Sequence, residues 1–306
     1  MDGNKDDFGA FPLPGMISKA MVAECHTALM DVINHGSELF LRFREEPDDP
    51  WDAWCREQPS GQRSYLRALR AGGRAAAFAA YFNARDHTLL LADCFDEPKN
   101  TMRIWSYLSL ARAACEAFVR VAVISDRTTD PERQLLICAA SAIDGSQQQV
   151  LLAQDVALEV VPKAEAQLAA DLKRCARAGI KPGTHKSRVQ RVSRGDITVN
   201  TSMNITKETA ARIQGVPGPY RIGSAAAHSG AWFLASAMGD NGTFAPRADP
   251  DIIVVSALTV IYAHLAAVGS VATAQAASEV ATYELRVNSH GRKIIAARHA
   301  DHPTAE

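Results

Sequence analysis

A chain of 306 residues with 47% hydrophobic content has the make-up of a globular protein, long enough for one large core or two smaller ones. A net charge of -1 excludes any global attraction to nucleic acid or to an anionic membrane, so such a partner has to be met by a local patch. The six cysteines, Cys25, Cys55, Cys94, Cys115, Cys138 and Cys175, form no CxxC pair and keep no zinc-finger spacing to a histidine. They read as reduced thiols in apolar helical stretches of a cytoplasmic protein.

The opening "MDGNKDDFGAFPLPG" has no basic start followed by an apolar run, so residues 1–15 are expected to be a disordered or loosely docked tail rather than a signal peptide. Apolar residues at helical spacing predict a helix over 16–44, ended by the acids and prolines of "REEPDDPWDAW". Further helices are expected over 61–82, with an interruption at Gly72-Gly73, over 84–97 and over 101–125. Asp130 or Thr129 near a cap and Pro131 at a first helical position open a helix over 131–158. The next, over 163–179, is placed to end at Gly179. Residues 180–204 are expected to be mostly loop, although "DITVNT" alternates as a short strand would, and they mark a sub-boundary within a single helical domain over 16–300. Helices over 205–214, 219–238, 250–278 and 279–298 complete the chain, with a loop over 240–249. Long helices joined by short turns predict an all-α, antiparallel multi-helix bundle.

Ile252 to Ala277 contains no Asp, Glu, Lys or Arg and is long enough to span a bilayer. Its Ala, Val, Ser and Thr content, with Tyr262, His264 and Gln275 inside, favours the central helix of a bundle over a membrane span. His264 is then expected to be a hydrogen-bonded core residue.

Three features bear on chemistry. In "PYRIGSAAAHSG" (219–230), Pro219 suits the start of a helix on which Arg221 and His228 lie two turns apart, separated by about 20° around the axis. Ser224 and Trp232 fall near the same face, while Gly223, Ala226, Ala227 and Gly230 leave the other face bare for close helix approach. A fixed cation beside a titratable imidazole suits phosphate chemistry without a metal when the nucleophile is the 2′-hydroxyl of RNA. The alternative is a buried Arg and His satisfied within the bundle.

Second, Arg112, Glu116 and Arg120 interrupt the apolar "RIWSYLSLARAACEAFVRVAVISD" at i, i+4 steps. They form either a self-satisfied ladder or a support in which Glu116 orients His228 or Arg221. Third, Lys173, Arg174, Arg177, Lys181, Lys186, Arg188, Arg191 and Arg194 follow one another with no acid between them. This patch either collects phosphates or is a solvated helix end followed by loop. No aromatic residue is interleaved, which argues against stacking on single-stranded bases. There is no GxGxxG after a strand, no P-loop, no HExxH, no GxSxG and no Asp-rich metal loop, so neither a cofactor nor a metal is expected.

Taken together, "ARAACEA" and then "YRIGSAAAHSG" before a final helical pair resemble a group of helical proteins from actinobacteria, and through it the HEPN superfamily. The resemblance covers about residues 100–290. It implies a helical, often dimeric fold and a metal-independent ribonuclease of a defence or stress system. It also implies an Arg-x4–6-His motif, which Arg221 and His228 meet at the upper limit. Ile222 departs from the pattern, because catalytic members place a polar residue directly after the arginine. On this reading Arg221 stabilises the scissile phosphate and His228 serves as acid or base. Tyr220 and Ser224 assist positioning, with Arg112 and Glu116 in support. Lys181, Lys186, Arg188, Arg191 and Arg194 contact RNA. The expected partners are RNA and a second copy of the chain. The rival expectation is a non-enzymatic helical accessory protein with a cognate protein partner.

Overall fold

The computed structural model describes residues 11–12, 18–96, 101–102, 104–156, 158–186, 188–213 and 250–300. The helix expected over 219–238 and the loop over 240–249 lie outside the described residues, as does most of the tail expected over 1–15. Phe11–Pro12 (β1) pairs antiparallel with Thr101–Met102 (β2).

The described chain is mostly helical. Helix α1 (Lys19–Asp31) is capped by the Ser18 hydroxyl, which accepts from the amides of Ala20 and Met21 at 3.0 and 3.2 Å. A π-turn at Val32–Gly36 joins it to α2 (Ser37–Glu45), so the helix expected over 16–44 contains a local widening. The proline-rich break that follows holds a short helix, α3 (Asp49–Glu57), started by Pro50 and burying Trp51 and Cys55.

Helix α4 (Ser60–Asp96) corrects the expectation of two helices. Gly72 and Gly73 do not interrupt it. Gly73 lies against the Cys138 side chain, where a Cβ would overlap Sγ, so packing rather than backbone bending explains that glycine. Helix α5 (Ile104–Ser125) follows, then α6 (Pro131–Val156). The Asp130 carboxylate accepts from the amides of Glu132 and Arg133 at 3.0 Å, with Pro131 at the first helical position. Helix α7 (Val161–Arg177) ends before Gly179, whose φ of +77° is the left-handed conformation a helix terminus favours in glycine.

Residues 180–204 are not mostly loop. They form a three-stranded antiparallel sheet of β3 (Lys181–His185), β4 (Arg188–Arg194) and β5 (Ile197–Asn200) in the order β3-β4-β5. The all-α expectation is corrected to that extent. Val189 and Val192 of β4 face the interior, which gives the sheet one buried side. Helices α8 (Ile205–Arg212), α9 (Pro250–Val271) and α10 (Ala277–Ala300) complete the described chain.

Two large hydrophobic clusters lie along α4, with a small one of Ala77, Ile124 and Cys138 besides them. One joins Tyr81, Ala84, Leu91 and Phe95 of α4 to α1, α2, α5, α9 and α10. The other joins Leu66 and Leu69 of α4 to Trp51, to Leu135–Ile143 of α6, and to Cys175, Val189 and Val192. α4 is therefore the shared strut of both cores.

α9 is the one described helix long and apolar enough to cross a membrane, and 67% of its apolar window is buried inside the fold. It packs against α5, α10, α1 and α2, the surroundings of a central core helix. His264 on α9 is 1% exposed and hydrogen-bonded on both ring nitrogens, to Tyr81 and to Tyr283, each at 2.8 Å.

Candidate nucleic-acid interface

The sheet positions the basic residues. A register shift between Gly183 and Thr184 lets Gly183 face Arg191, while Thr184 faces Val189. The backbone groups freed at Val189 are taken up by Gln147 of α6, a buried side chain. Its Oε1 accepts from the Val189 amide at 2.8 Å, and its Nε2 donates to the Val189 carbonyl at 3.1 Å. The Thr201 hydroxyl adds a second donor to that carbonyl at 2.9 Å. This clamp fixes the sheet to α6 through one pair of residues, because leaving both amide groups unpaired would cost about 1–3 kcal/mol each.

With the sheet pinned on its inner face, Lys181, Lys186, Arg188 and Arg191 are exposed. Arg191 runs across Gly183, whose missing side chain leaves room for its Cγ and Nε. It pairs in register with Asn200 on the other side, so an arginine and an amide share one outward face. Lys186 sits in the β3–β4 turn with φ +47°, which holds its ammonium at the tip of the hairpin. Arg188 lies 3.7 Å from Asp144 and keeps 45% of its side chain exposed.

Arg194 does not join them. Its guanidinium donates to Glu132 and Gln58 at 2.8 Å and to Gln62 at 3.2 Å. It also lies 5.3 Å from the centre of the Trp54 ring. With a side chain 12% exposed, it ties the sheet to α6, α3 and α4. The sequence grouped it with the patch because spacing alone cannot tell an inward-facing arginine from an outward-facing one.

Arg112 Nε donates to Glu116 Oε1 at 2.7 Å, and both side chains are partly buried. This is the first step of the stripe, and it is compatible with either role. Arg120, the third member of the stripe, is exposed, while its neighbours Val119 and Val121 are buried. Arg221, His228, Tyr220 and Ser224 lie outside the described residues.

A second concentration of arginines is spent internally. Arg127 donates to the carbonyls of Phe43 at 2.9 Å, Glu46 at 3.1 Å and Pro47 at 3.2 Å, closing the C-terminal end of α2. Arg74 donates to the Arg44 carbonyl, and buried Arg70 pairs with Asp48 over the Trp51 ring. Burial lowers the pKa of both Arg70 and Arg127. Burial also pushes the Cys138 and Cys175 thiols up to about 11, which suppresses the thiolate. Among the described residues no group of His, Cys, Asp and Glu is arranged to hold a metal ion.

No protein-family model matches this chain, and neither the curated proteins nor the solved structures contain a match. The sequence missed the sheet that organises the basic residues. Its signal was present in "RVQRVSR" and "DITVNT", where β-branched residues recur between polar ones.

Proposed function

We propose that this protein binds RNA across the exposed face of its three-stranded sheet and cleaves the bound strand with Arg221 and His228, without a metal. One observation carries the binding half. Lys181, Lys186, Arg188 and Arg191 are held outward on a small rigid sheet, while a neighbouring arginine cluster is used up inside the fold. Exposed cations on a sheet can pair with backbone phosphates and need no base stacking, so binding is sequence-tolerant and strongly salt-dependent.

The catalytic half rests on residue chemistry. His228 takes the proton of a 2′-hydroxyl, whose oxygen attacks the adjacent phosphorus. Arg221 neutralises the charge that grows on the non-bridging oxygens. The P–O5′ bond breaks, and the products are a 2′,3′-cyclic phosphate and a 5′-hydroxyl. The departing oxygen needs an acid, which the partner subunit's His228 supplies in a homodimer formed through the bare Gly223, Ala226, Ala227 and Gly230 face. Tyr220 and Ser224 position the strand. The HEPN-like assignment, the defence or stress role and the cytoplasmic location belong to this same reading.

The binding half is tested by fluorescence anisotropy of a labelled single-stranded RNA against the wild type and Arg188→Gln/Arg191→Gln. The double variant is expected to bind about tenfold or more weakly, with a salt slope reduced by about 1.4 on a log–log plot. Unchanged affinity removes the sheet from the interface.

A second reading, a non-enzymatic accessory protein, is favoured by one observation. Leu151, Leu152, Val156, Leu158 and Val160 are exposed at the end of α6 and in the turn to α7, an apolar tip of the kind that meets protein partners. That reading gains if His228→Ala leaves RNA intactness unaffected while Leu152→Glu/Val156→Glu abolishes association.

A further inference from the structure

Beside the sheet lies a groove that the RNA-contacting residues do not occupy. It encloses about 370 Å³ where α5, α6, β5 and the start of α8 meet. Three cations from three different helices converge on it: Arg120 of α5, Arg133 of α6 and Lys207 of α8. None of the three has an ion-pair partner among the described residues, whereas other arginines around the fold are matched with acids.

The groove has two acids of its own, and each is turned to another cation. Asp144 lies 3.7 Å from Arg188, and Glu208 Oε2 accepts from Arg212 Nε at 3.4 Å. Arg212 lies nearer Asp126, at 3.1 Å, so the lining carries three cations against two acids, one positive charge in excess, and neither acid pairs with Arg120, Arg133 or Lys207. Uncharged donors stand among the cations: Ser141, Asn200 and Ser202. The floor is apolar, made by Val123, Ile137 and Met203.

We propose that this groove binds a phosphate monoester of mononucleotide size. The phosphate sits between Arg120, Arg133 and Lys207, and the rest of the ligand lies on the apolar floor. Several cations fit a dianionic phosphate better than a carboxylate, which one bidentate arginine satisfies. The volume falls within the usual range of small-ligand sites, about 300–1,000 Å³. Among the described residues no aromatic side chain lines the groove, so recognition rests on phosphate and sugar and discriminates weakly between bases. The ligand is either a free nucleotide or the phosphorylated terminal unit of an RNA strand. The inference stands without the RNA-binding reading: Arg120, Arg133 and Lys207 are not among the residues proposed to contact RNA, and Arg188 enters only as the partner of Asp144.

The test is isothermal titration of the full chain with AMP, CMP, GMP and UMP, and with the four matching nucleosides. The expected result is binding of all four nucleotides at micromolar to sub-millimolar affinity, with the nucleosides weaker by about tenfold or more. Arg120→Gln and Arg133→Gln, on exposed positions of separate helices, should each weaken nucleotide binding about tenfold, while Lys293→Gln on α10 leaves it unchanged. The inference is overturned if no nucleotide binds at about 1 mM, or if both arginine variants bind as the wild type does.

A 5′-phosphorylated RNA tetranucleotide separates the two sources. If it displaces AMP and itself weakens in Arg120→Gln, the groove takes an RNA terminus. If it binds without displacing AMP, the ligand is a free nucleotide. Loss of RNA binding in Arg188→Gln/Arg191→Gln with no nucleotide binding at all would sink the groove and leave the sheet interface standing.

Discussion

The Tyr283 hydroxyl lies 2.8 Å from Nδ1 of His264, and neither residue has more than 1% of its surface exposed. The other ring nitrogen, Nε2, stands 2.8 Å from the Tyr81 hydroxyl, which donates in turn to Ser37 Oγ at 2.9 Å. One tautomer satisfies this chain: Nε2–H donates to Tyr81, and Nδ1 accepts from Tyr283. Gly36, the last residue of the π-turn, makes room for it, since a Cβ there would overlap both the imidazole and the Tyr283 hydroxyl. Three separate helices and the π-turn are thus keyed to one neutral ring.

A second proton on that ring would leave the Tyr283 O–H without an acceptor among the described residues, in a site with no counter-charge. Burial holds the His264 pKa down to about 3. In the unfolded chain the ring titrates near about 6.5, so below that pH the unfolded state binds more protons and the fold loses stability. Between pH 7 and pH 5 this residue should remove about 2 kcal/mol. His264→Gln should be less stable at pH 7 but lose about 2 kcal/mol less over that interval. Urea unfolding at the two pH values reads both quantities, and equal losses in wild type and variant would show that His264 is not buried neutral.

Adjacent glycines in α4 should respond oppositely to the same substitution. Gly72 is exposed, and a Cβ there would meet nothing within 4 Å, so Gly72→Ala should stabilise by about 0.5–1 kcal/mol through backbone entropy alone. Gly73 is buried against Cys138, so Gly73→Ala should cost about 1–3 kcal/mol through overpacking. Thermal melts of the two variants decide the matter. Two changes of the same sign would mean that the α4–α6 approach is looser than described.

Arg191 and Arg194, three residues apart on one strand, should separate affinity from stability. Arg191→Gln should weaken RNA binding about three- to tenfold and leave the melting temperature unmoved. Arg194→Gln should lower stability by about 2 kcal/mol, because it strands partly buried Glu132 and breaks the bonds to Gln58 and Gln62. Anisotropy and urea titration of the same two preparations supply both readouts. An affinity loss in Arg194→Gln as large as that in Arg191→Gln would place both on the binding face.

Much of the helical frame was legible because it is written in local chemistry. The Asp130-Pro131 start and the Gly179 stop are cap signals that act over a few residues. His264 was readable as a core residue, since a lone polar group in an apolar helix has to find partners. Three elements were not legible for three different reasons. The continuity of α4 through Gly72-Gly73 depends on Cys138, some 65 residues away in sequence, whose contact outweighs a helix propensity cost of about 1 kcal/mol per glycine. The sheet at 181–200 has one short buried face; the two-residue Gly195-Asp196 turn that joins β4 to β5, with Gly195 at φ +53°, is a local signal, but the clamp by Gln147 of α6 is not local in sequence. The inward turn of Arg194 depends on Glu132, Gln58 and Gln62, none of them local in sequence. At the candidate site, the basic run was legible in the sequence, but the inward turn of Arg194 and the scaffold that presents the others were not.

The most direct test of the functional reading is cleavage of a mixed RNA pool in EDTA by the wild type and by His228→Ala, matched for folding by circular dichroism. The reading predicts that the wild type cuts, that the products carry 2′,3′-cyclic phosphate ends, and that His228→Ala cuts at least about a hundredfold more slowly while still binding RNA. Cleavage by neither protein, or equal cleavage by both, would contradict it.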